Sequence, residues 1–403
     1  MSRTQAETQV AELLRTARRA LGLSLAFLSR LDEQHQHIQV MESALPVFRD
    51  GHVAPRETSL CQYILDEKLP PVIPDLRAHP EVMSLPGPRW AHLRSYVSVP
   101  VTLSDGTLWG TFCAAGLKPH KKLAEKDRAL LEVLAHAASI VIERDVVETA
   151  RLQEIRSRLE PLIAAGGPVV VLQPIVDLAD GRRVGAEALS RFPPAWDRTP
   201  DVVFAEAHEV GLGHGLERMA LASAMRYLDG LTGYLAMNVS PRTLVTPECL
   251  ALLAEAPLDR VVLELTEHEA VEDYDTLRAA LGGLRGQAAR LAIDDVGSGF
   301  SSLRHIVLTA PDVIKLDRTI VAGVHADPVL QALVSSMVRF GHDSGAKVVA
   351  EGVETRQDAD ALATLGVDYG QGWFFGAPVA PDQLAPARKM LGEERPRDAT
   401  LRT

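Results

Sequence analysis

Residues Arg290–Leu303 read RLAIDDVGSGFSSL, an apolar run that ends on two adjacent aspartates and passes into glycines and serines. Such a run, closed by a polar end and a glycine-containing turn, is how a βα unit begins. Seven other stretches share this form: VVVLQPIV, RVGAEALS, YLAMNVS, RVVLELTE, DVIKLD, KVVAEGVE and VDYGQGW, most of them separated by longer segments of helical periodicity. About eight βα units predict an α/β, TIM-like (βα)8 barrel around a parallel sheet. DLADGRR, which joins the first two strands, is too short for a crossover helix. Those two strands are therefore expected to pair antiparallel, which makes the barrel irregular at its first strand.

Each strand of this barrel leads to a polar residue: in order Gln173, Glu187, Asn238, Glu264, Asp294 with Asp295, Lys315, Glu351 and Gln371. In a barrel of parallel strands the C-terminal ends open on one face, so residues scattered through the sequence become neighbours. Taken singly, a polar residue at a strand end is commonly a solvated rim group. Taken together, five carboxylates and an amide on one rim repel one another unless a counter-charge is present. Bound divalent cations supply it. An all-oxygen ligand set suits magnesium or manganese, with calcium as an inhibitory competitor, and argues against zinc. The adjacent Asp294 and Asp295 suit a shared ligand between two ions, the arrangement common in phosphodiester hydrolysis. The following GSGFSS is either a loop that approaches a ligand or an ordinary βα turn. Glu267 either tethers that loop or caps the helix after it.

The rest of the chain sets the context. Its 403 residues, 46% of them hydrophobic, are expected to form two domains. With 42 basic and 53 acidic side chains, the formal charge of −11 offers no attraction to a nucleic-acid polymer or an anionic membrane surface. The first thirty residues lack the continuous apolar block of a signal peptide, and PLIAAGGPVVVLQPIV is too short and too broken to span a membrane. Cys61, Cys113 and Cys249 form no CxxC pair, and a reducing cytoplasm suits them.

Short alternating runs (SLAFLSRL, HIQVMES, SYVSVPVTL, WGTFCAAG) predict an α+β domain on an antiparallel sheet, with Asp105-Gly106 as a hairpin turn. From Leu123 to Leu162 the chain has no glycine and no proline until Pro161, which predicts one long helix or two in line. Leu152, Ile155, Leu159 and Leu162 alternate by three and four, as in a coiled-coil seam. That helix is either a connector pairing in a homodimer or an amphipathic helix packed on its own domain. The expected division is a sensory domain over 1–145, a connector helix over 123–165, the barrel over 166–395 and a flexible tail over 396–403.

EALSR, NVSP, ELTE, DDVGSGFSSL, KLD, AEGVE and QGWFFGAP occur here in the order found in EAL-domain cyclic-di-GMP phosphodiesterases, over roughly Pro168 to Leu391. The resemblance implies metal-dependent hydrolysis of cyclic di-GMP to linear pGpG. It implies that Glu187, Asn238, Glu264 and Asp294 bind a first metal ion, and that Asp294 bridges to a second completed by Asp295 and Glu351. Lys315 is implied to orient the attacking water. Gln173 and Arg191 match substrate-contacting positions, with Asp317 and Gln371 placed around substrate and waters, and Glu267 and Glu354 supporting the catalytic loop. Ser190 and Val296 depart from the commonest pattern, where a leucine and an aromatic residue stand, and neither is a metal ligand.

The N-terminal part resembles a GAF sensory domain over roughly Thr4 to Glu143, on LGLSLAFLSRLD, SLCQYILDEKLPPVIPDLRAHP and YVSVPVTLSDGTLWGTFCAAG. Its small-molecule or redox input is not identified by these residues, and Cys61 and Cys113 read either as redox or chromophore sites or as small buried hydrophobes. The function implied is a cytoplasmic phosphodiesterase regulated by its GAF domain. The alternatives are a slow or inactive EAL receptor that binds cyclic di-GMP and signals through a partner, and a barrel that serves the GAF half only as a dimerisation platform.

Overall fold

Near-continuous burial along LAFLSRL and SYVSVPVT marks strands covered on both faces, and they build the first unit around a sheet. The computed structural model describes residues 3–44, 50–83, 92–265, 273–297 and 302–384. The chain divides into Met1–Gln153 and Glu154–Thr403. In the first unit β1 (Leu25–Leu31), β2 (His35–Ser43), β3 (Val53–Pro55), β4 (Val72–Ile73), β5 (Ser95–Thr102) and β6 (Leu108–Gly116) form a sheet in the order β3-β2-β1-β6-β5-β4. All its pairings are antiparallel. The two-residue period of a strand separates two cores. Ala26, Leu28, Val97, Val99, Phe112 and Ala114 pack with the helix Gln5–Leu21 and with Leu131, Ala135, Ala138 and Ile142. Leu25, Phe27, Tyr96, Cys113 and Ala115 pack with Leu60 and Cys61 of the helix Leu60–Leu65. Gly106, at φ 86°, supplies the turn expected between β5 and β6.

The stretch from Leu123 to Leu162 forms a single helix, Glu125–Ala164, which continues past Pro161 for less than a turn. Part of its seam packs within the chain. Ile155 and Leu159 are buried within the single chain. Beside them Arg156 donates to the Val210 carbonyl at 2.6 Å, and Arg158 pairs with Glu206 and lies over the Trp196 ring. Ile155 and Leu159 thus pack on their own unit, while Leu152 and Leu162 are half-buried. Upstream, Val133, Ile140 and Val147 are 67%, 60% and 63% exposed at seven-residue intervals.

In the second unit β7 (Val169–Asp177), β8 (Arg183–Arg191), β9 (Tyr234–Asn238), β10 (Val261–Leu265), β11 (Arg290–Val296), β12 (Val313–Leu316), β13 (Lys347–Ala350) and β14 (Tyr369–Gly370) close a barrel in the order β10-β11-β12-β13-β14-β7-β8-β9. These are the eight strands read from the sequence. β7 runs antiparallel to both its neighbours, β8 and β14, and every other pairing is parallel. Ile175, Tyr234, Ala236, Val262, Ala292, Val313 and Val349 form one apolar cluster. Alternate residues such as Leu235, Leu263, Leu291, Ile314 and Val348 belong to a second and larger core. The first cluster fills the barrel interior and the second packs strands against the surrounding helices.

Candidate active site

The interior cluster sets the height of the site. Two residues beyond five of its members, on the same face, come Asn238 after Ala236, Glu264 after Val262, Asp294 after Ala292, Lys315 after Val313 and Glu351 after Val349. A strand with a two-residue period thus lifts a ring of polar side chains above an apolar floor. Gln173 joins the ring from the opposite direction. It lies mid-strand in β7 rather than at a strand end, and the antiparallel register places it against Glu187.

The paired aspartates break the period. In a regular strand Asp295 would face outward. The β11–β12 register instead shifts between Ile293 and Val296, where Asp294 and Asp295 together oppose Lys315. Asp295 takes φ 57°, a left-handed conformation that aspartate adopts more readily than most residues. A bulge of this kind re-aims a side chain. It leaves oxygens of Asp294, Asp295 and Glu351 within 4.8 Å of one another, beside a second triad made by Glu187, Glu264 and Asp294. The two triads share Asp294.

Lys315, 1% exposed, is the hub of this cluster. Its Nζ lies 2.7 Å from Glu351, 2.8 Å from Glu264, 3.0 Å from Asp294 and 3.8 Å from Glu187. Burial disfavours its charge, but these carboxylates hold its pKa well above the ordinary range. One ammonium does not balance the cluster. Burial and neighbouring like charges push Glu264 and Glu351 well above the carboxylate range despite Lys315. Burial opposes ionisation of Glu187 as well, yet Lys315, Gln371 and Asn238 hold its pKa below the usual value. Asn238 Nδ2 donates to Glu187 at 2.8 Å, and Gln371 Nε2 donates to Glu187 at 2.5 Å and to Gln173 at 3.1 Å. Gln371 Oε1 is buried without a hydrogen-bond partner among the described residues. Carboxylates short of positive charge and a buried oxygen without a donor fit a divalent cation and its waters.

The remaining candidate residues lie around this cluster. Gln173, Asp317, Glu354 and Gln371 line a pocket of about 330 Å³ together with Glu187, Asp294 and Glu351. Asp317 also caps the helix Arg318–Val321, accepting from the Thr319 N–H at 2.8 Å. Glu354 pairs with Arg318 at 2.9 Å. Arg191, exposed at the end of β8, donates to the Ser190 carbonyl at 2.9 Å. It lines a larger cleft of about 880 Å³ shared with Asn238, Ser190 and Asp295. Glu267, most of the GSGFSS loop and the tail over 396–403 lie outside the described residues.

Comparison with known proteins places these elements. The EAL domain model matches residues 156–378. The chain belongs to the EAL domain family. A GAF domain model matches residues 5–143. Among curated relatives, the probable cyclic di-GMP phosphodiesterase PdeB of Escherichia coli is 30% identical over 248 residues, covering 58% of this chain and 47% of PdeB. An uncharacterised signalling protein of Caulobacter vibrioides is 31% identical over 277 residues, covering 65% of this chain and 34% of its own. The chain thus spans between a third and a half of the length of these relatives. The structure of PaMucR phosphodiesterase in complex with c-di-GMP aligns with a TM-score of 0.52 and 28% identity, covering 58% of this chain and all of that one.

Within the EAL domain, Val296, the smaller residue at the usual aromatic position, is buried in the larger core and leaves both triads in place. Sequence reasoning passed over two residues at the site. Glu217 lines the larger cleft, accepting from the Ser240 N–H and hydroxyl at 2.8 Å each and pairing with His208 at 2.5 Å. Its signal was its place in the repeat of Glu217, Leu221 and Ala224, a carboxylate at a core position of the helix Gly213–Met225. Trp373, 73% exposed, lines the smaller pocket.

Proposed function

We propose that this chain hydrolyses cyclic di-GMP to linear pGpG at the two carboxylate triads. The observation that carries the reading is their overlap at Asp294, around a buried lysine on the strand-end face of an EAL barrel. The names of PdeB and of the PaMucR complex point to the same substrate. The first ion site is assigned to Glu187, Asn238, Glu264 and Asp294, and the second to Asp294, Asp295 and Glu351. Bound there, magnesium or manganese supplies an activated water and stabilises charge on the phosphate oxygens. Lys315 holds the carboxylates in register and orients the attacking water. Gln371 and Gln173 position the phosphate edge, with Asp317 at the wall of the pocket.

Asp294 lines the smaller pocket and its chain neighbour Asp295 the larger cleft, so with one phosphate over the triads the remainder of the dinucleotide extends toward Arg191. Arg191 meets the second phosphate with its planar fork. Glu354 steadies the rim through Arg318. The GAF domain regulates this activity through the helix Glu125–Ala164, part of which belongs to each unit. The homodimer of this proposal uses the Val133, Ile140 and Val147 face in place of the seam at 152–162. The protein works in the cytoplasm, and no helix among the described residues is long and apolar enough to cross a membrane.

The test is incubation of purified protein with cyclic di-GMP and manganese, followed by chromatography, for the parent and for Glu187→Gln. Loss of a partner outside a metal's ligand set costs about 10–100-fold, so loss of the ligand itself is expected to lower pGpG formation by at least about 100-fold. Chelator abolishes the parent's activity. Equal turnover in both proteins refutes the site, and tight binding without product in the parent makes the barrel a receptor.

A further inference from the structure

Cys61 and Cys113 stand 52 positions apart in the chain with their Sγ atoms 3.4 Å apart. Cys61 lies on the helix Leu60–Leu65 and Cys113 on β6, and they are 1% and 0% exposed. Both belong to an apolar cluster, yet polar groups surround their sulfurs. Gln36 Nε2 donates to Cys61 Sγ at 2.9 Å, and the Tyr96 hydroxyl lies 3.0 Å from it. With the Cys113 thiol, three groups able to donate surround one sulfur. The set is itself held in place: Gln36 also donates to Ser29 at 2.9 Å, and Ser29 bonds Thr111 at 2.7 Å. Cys113 lies 3.2 Å from the Ser98 hydroxyl and 3.3 Å from that of Thr111.

A thiol is a weak acceptor with little use for three donors, whereas a buried thiolate needs them. Burial opposes ionisation of Cys61, but the hydrogen bonds from Cys113, Thr111, Tyr96 and Gln36 outweigh it and hold its pKa below the ordinary range. Burial and the neighbouring Cys61 push Cys113 well above that range. Cys249, equally buried in the other unit, is pushed up to about 11 by burial and by Glu217. The fold thus sets Cys61, with polar groups gathered on its sulfur, against the Cys113 thiol, while Cys249 lies in the other unit.

We propose that Cys61 and Cys113 form a peroxide-reactive dithiol that closes to a disulfide inside the GAF domain. The Cys61 thiolate attacks one oxygen of hydrogen peroxide; an S–O bond forms, the O–O bond breaks, and the departing hydroxide takes up the proton that Cys61 released. Cys113 then attacks the Cys61 sulfenic acid; the S–S bond forms, the S–O bond breaks, and a second water leaves with the Cys113 proton. Two thiols are oxidised and one peroxide is reduced to two waters. The sulfurs close from 3.4 Å to the ~2.05 Å of a disulfide, which ties the helix Leu60–Leu65 to β6, a central strand of the sheet. No step uses the carboxylate site, so this inference stands or falls apart from the phosphodiesterase reading.

The experiment treats the full-length protein with hydrogen peroxide, quenches it in acid, then unfolds and alkylates it for intact mass and peptide mapping. Two of the three cysteines are expected to escape alkylation, with loss of the mass of two hydrogens, a bridged peptide joining Cys61 to Cys113, and full recovery in dithiothreitol. Cys61→Ser leaves both remaining thiols open to alkylation. Cys113→Ser accumulates a sulfenic acid at Cys61 that dimedone captures. Three alkylated cysteines in the peroxide-treated parent overturn the proposal, as does protection that persists in Cys61→Ser or resists dithiothreitol. If Cys113→Ser does not fold, the bridged peptide of the parent decides.

Discussion

Lys315 has four carboxylates within 3.8 Å of its ammonium and almost no contact with solvent. Its chain length brings the charge up from the barrel floor, and no other cation pairs with the Glu187, Glu264, Asp294 and Glu351 group among the described ion pairs. Lys315→Met keeps the bulk of the stem and removes the charge, leaving like charges buried together. Breaking a buried ion pair on one side costs about 3–5 kcal/mol, and a loss of that size is expected in urea denaturation with chelator present. Manganese restores part of it, because the same carboxylates then hold a cation. Unchanged stability in chelator would mean that the carboxylates take up protons at no cost to the fold, and would remove Lys315 as the structural counter-charge.

At the scale of elements, Asp368 joins β13 to β14. Its carboxylate accepts from the Val348 N–H at 2.9 Å, from Lys347 Nζ at 2.7 Å and from His342 at 2.8 Å. Burial raises its pKa, but these three partners hold it below the usual aspartate value. A carboxyl with a depressed folded pKa stabilises above its unfolded pKa of about 3.9, and that contribution disappears as pH falls through the folded value. Asp368→Asn is therefore expected to cost about 1.5–3 kcal/mol near neutral pH, the range for hydrogen bonds to a charged group. The gap between mutant and parent closes in acid. A gap independent of pH would show that amide geometry, not charge, is what the mutant loses. The strands that this residue joins were legible in the sequence because each belongs to a short run that leads to a polar end, Glu351 and Gln371. The bulge at Asp294 and Asp295 was not, since an extra residue in a ladder shows only against its partner strand. Gln173 was legible as a site residue for the wrong reason: its antiparallel register, not a strand end, brings it to Glu187.

At the scale of the molecule, the helix Glu125–Ala164 carries buried residues in both units. Leu131, Ala135, Ala138 and Ile142 belong to a core of the first. Ile155 and Leu159 are buried near its other end, where Arg158 pairs with Glu206. Hydrophobic periodicity showed the helix but not which residues its seam meets, since a self-packed face and a coiled-coil face have the same spacing. The difference has a consequence for where the barrel unit begins. A fragment of residues 166–403 exposes the surface that Ile155 and Leu159 cover and loses the Arg158 ion pair. A fragment of residues 150–403 keeps both. Burying an isoleucine or a leucine is worth about 1.5–3 kcal/mol each, so the shorter fragment is expected to be less stable by about 3–6 kcal/mol in urea denaturation. Equal midpoints and slopes for the two would mean that the end of the helix adds nothing to the barrel unit. The GAF domain would then have no packed element through which to reach the site, and regulation through this helix would fail with it.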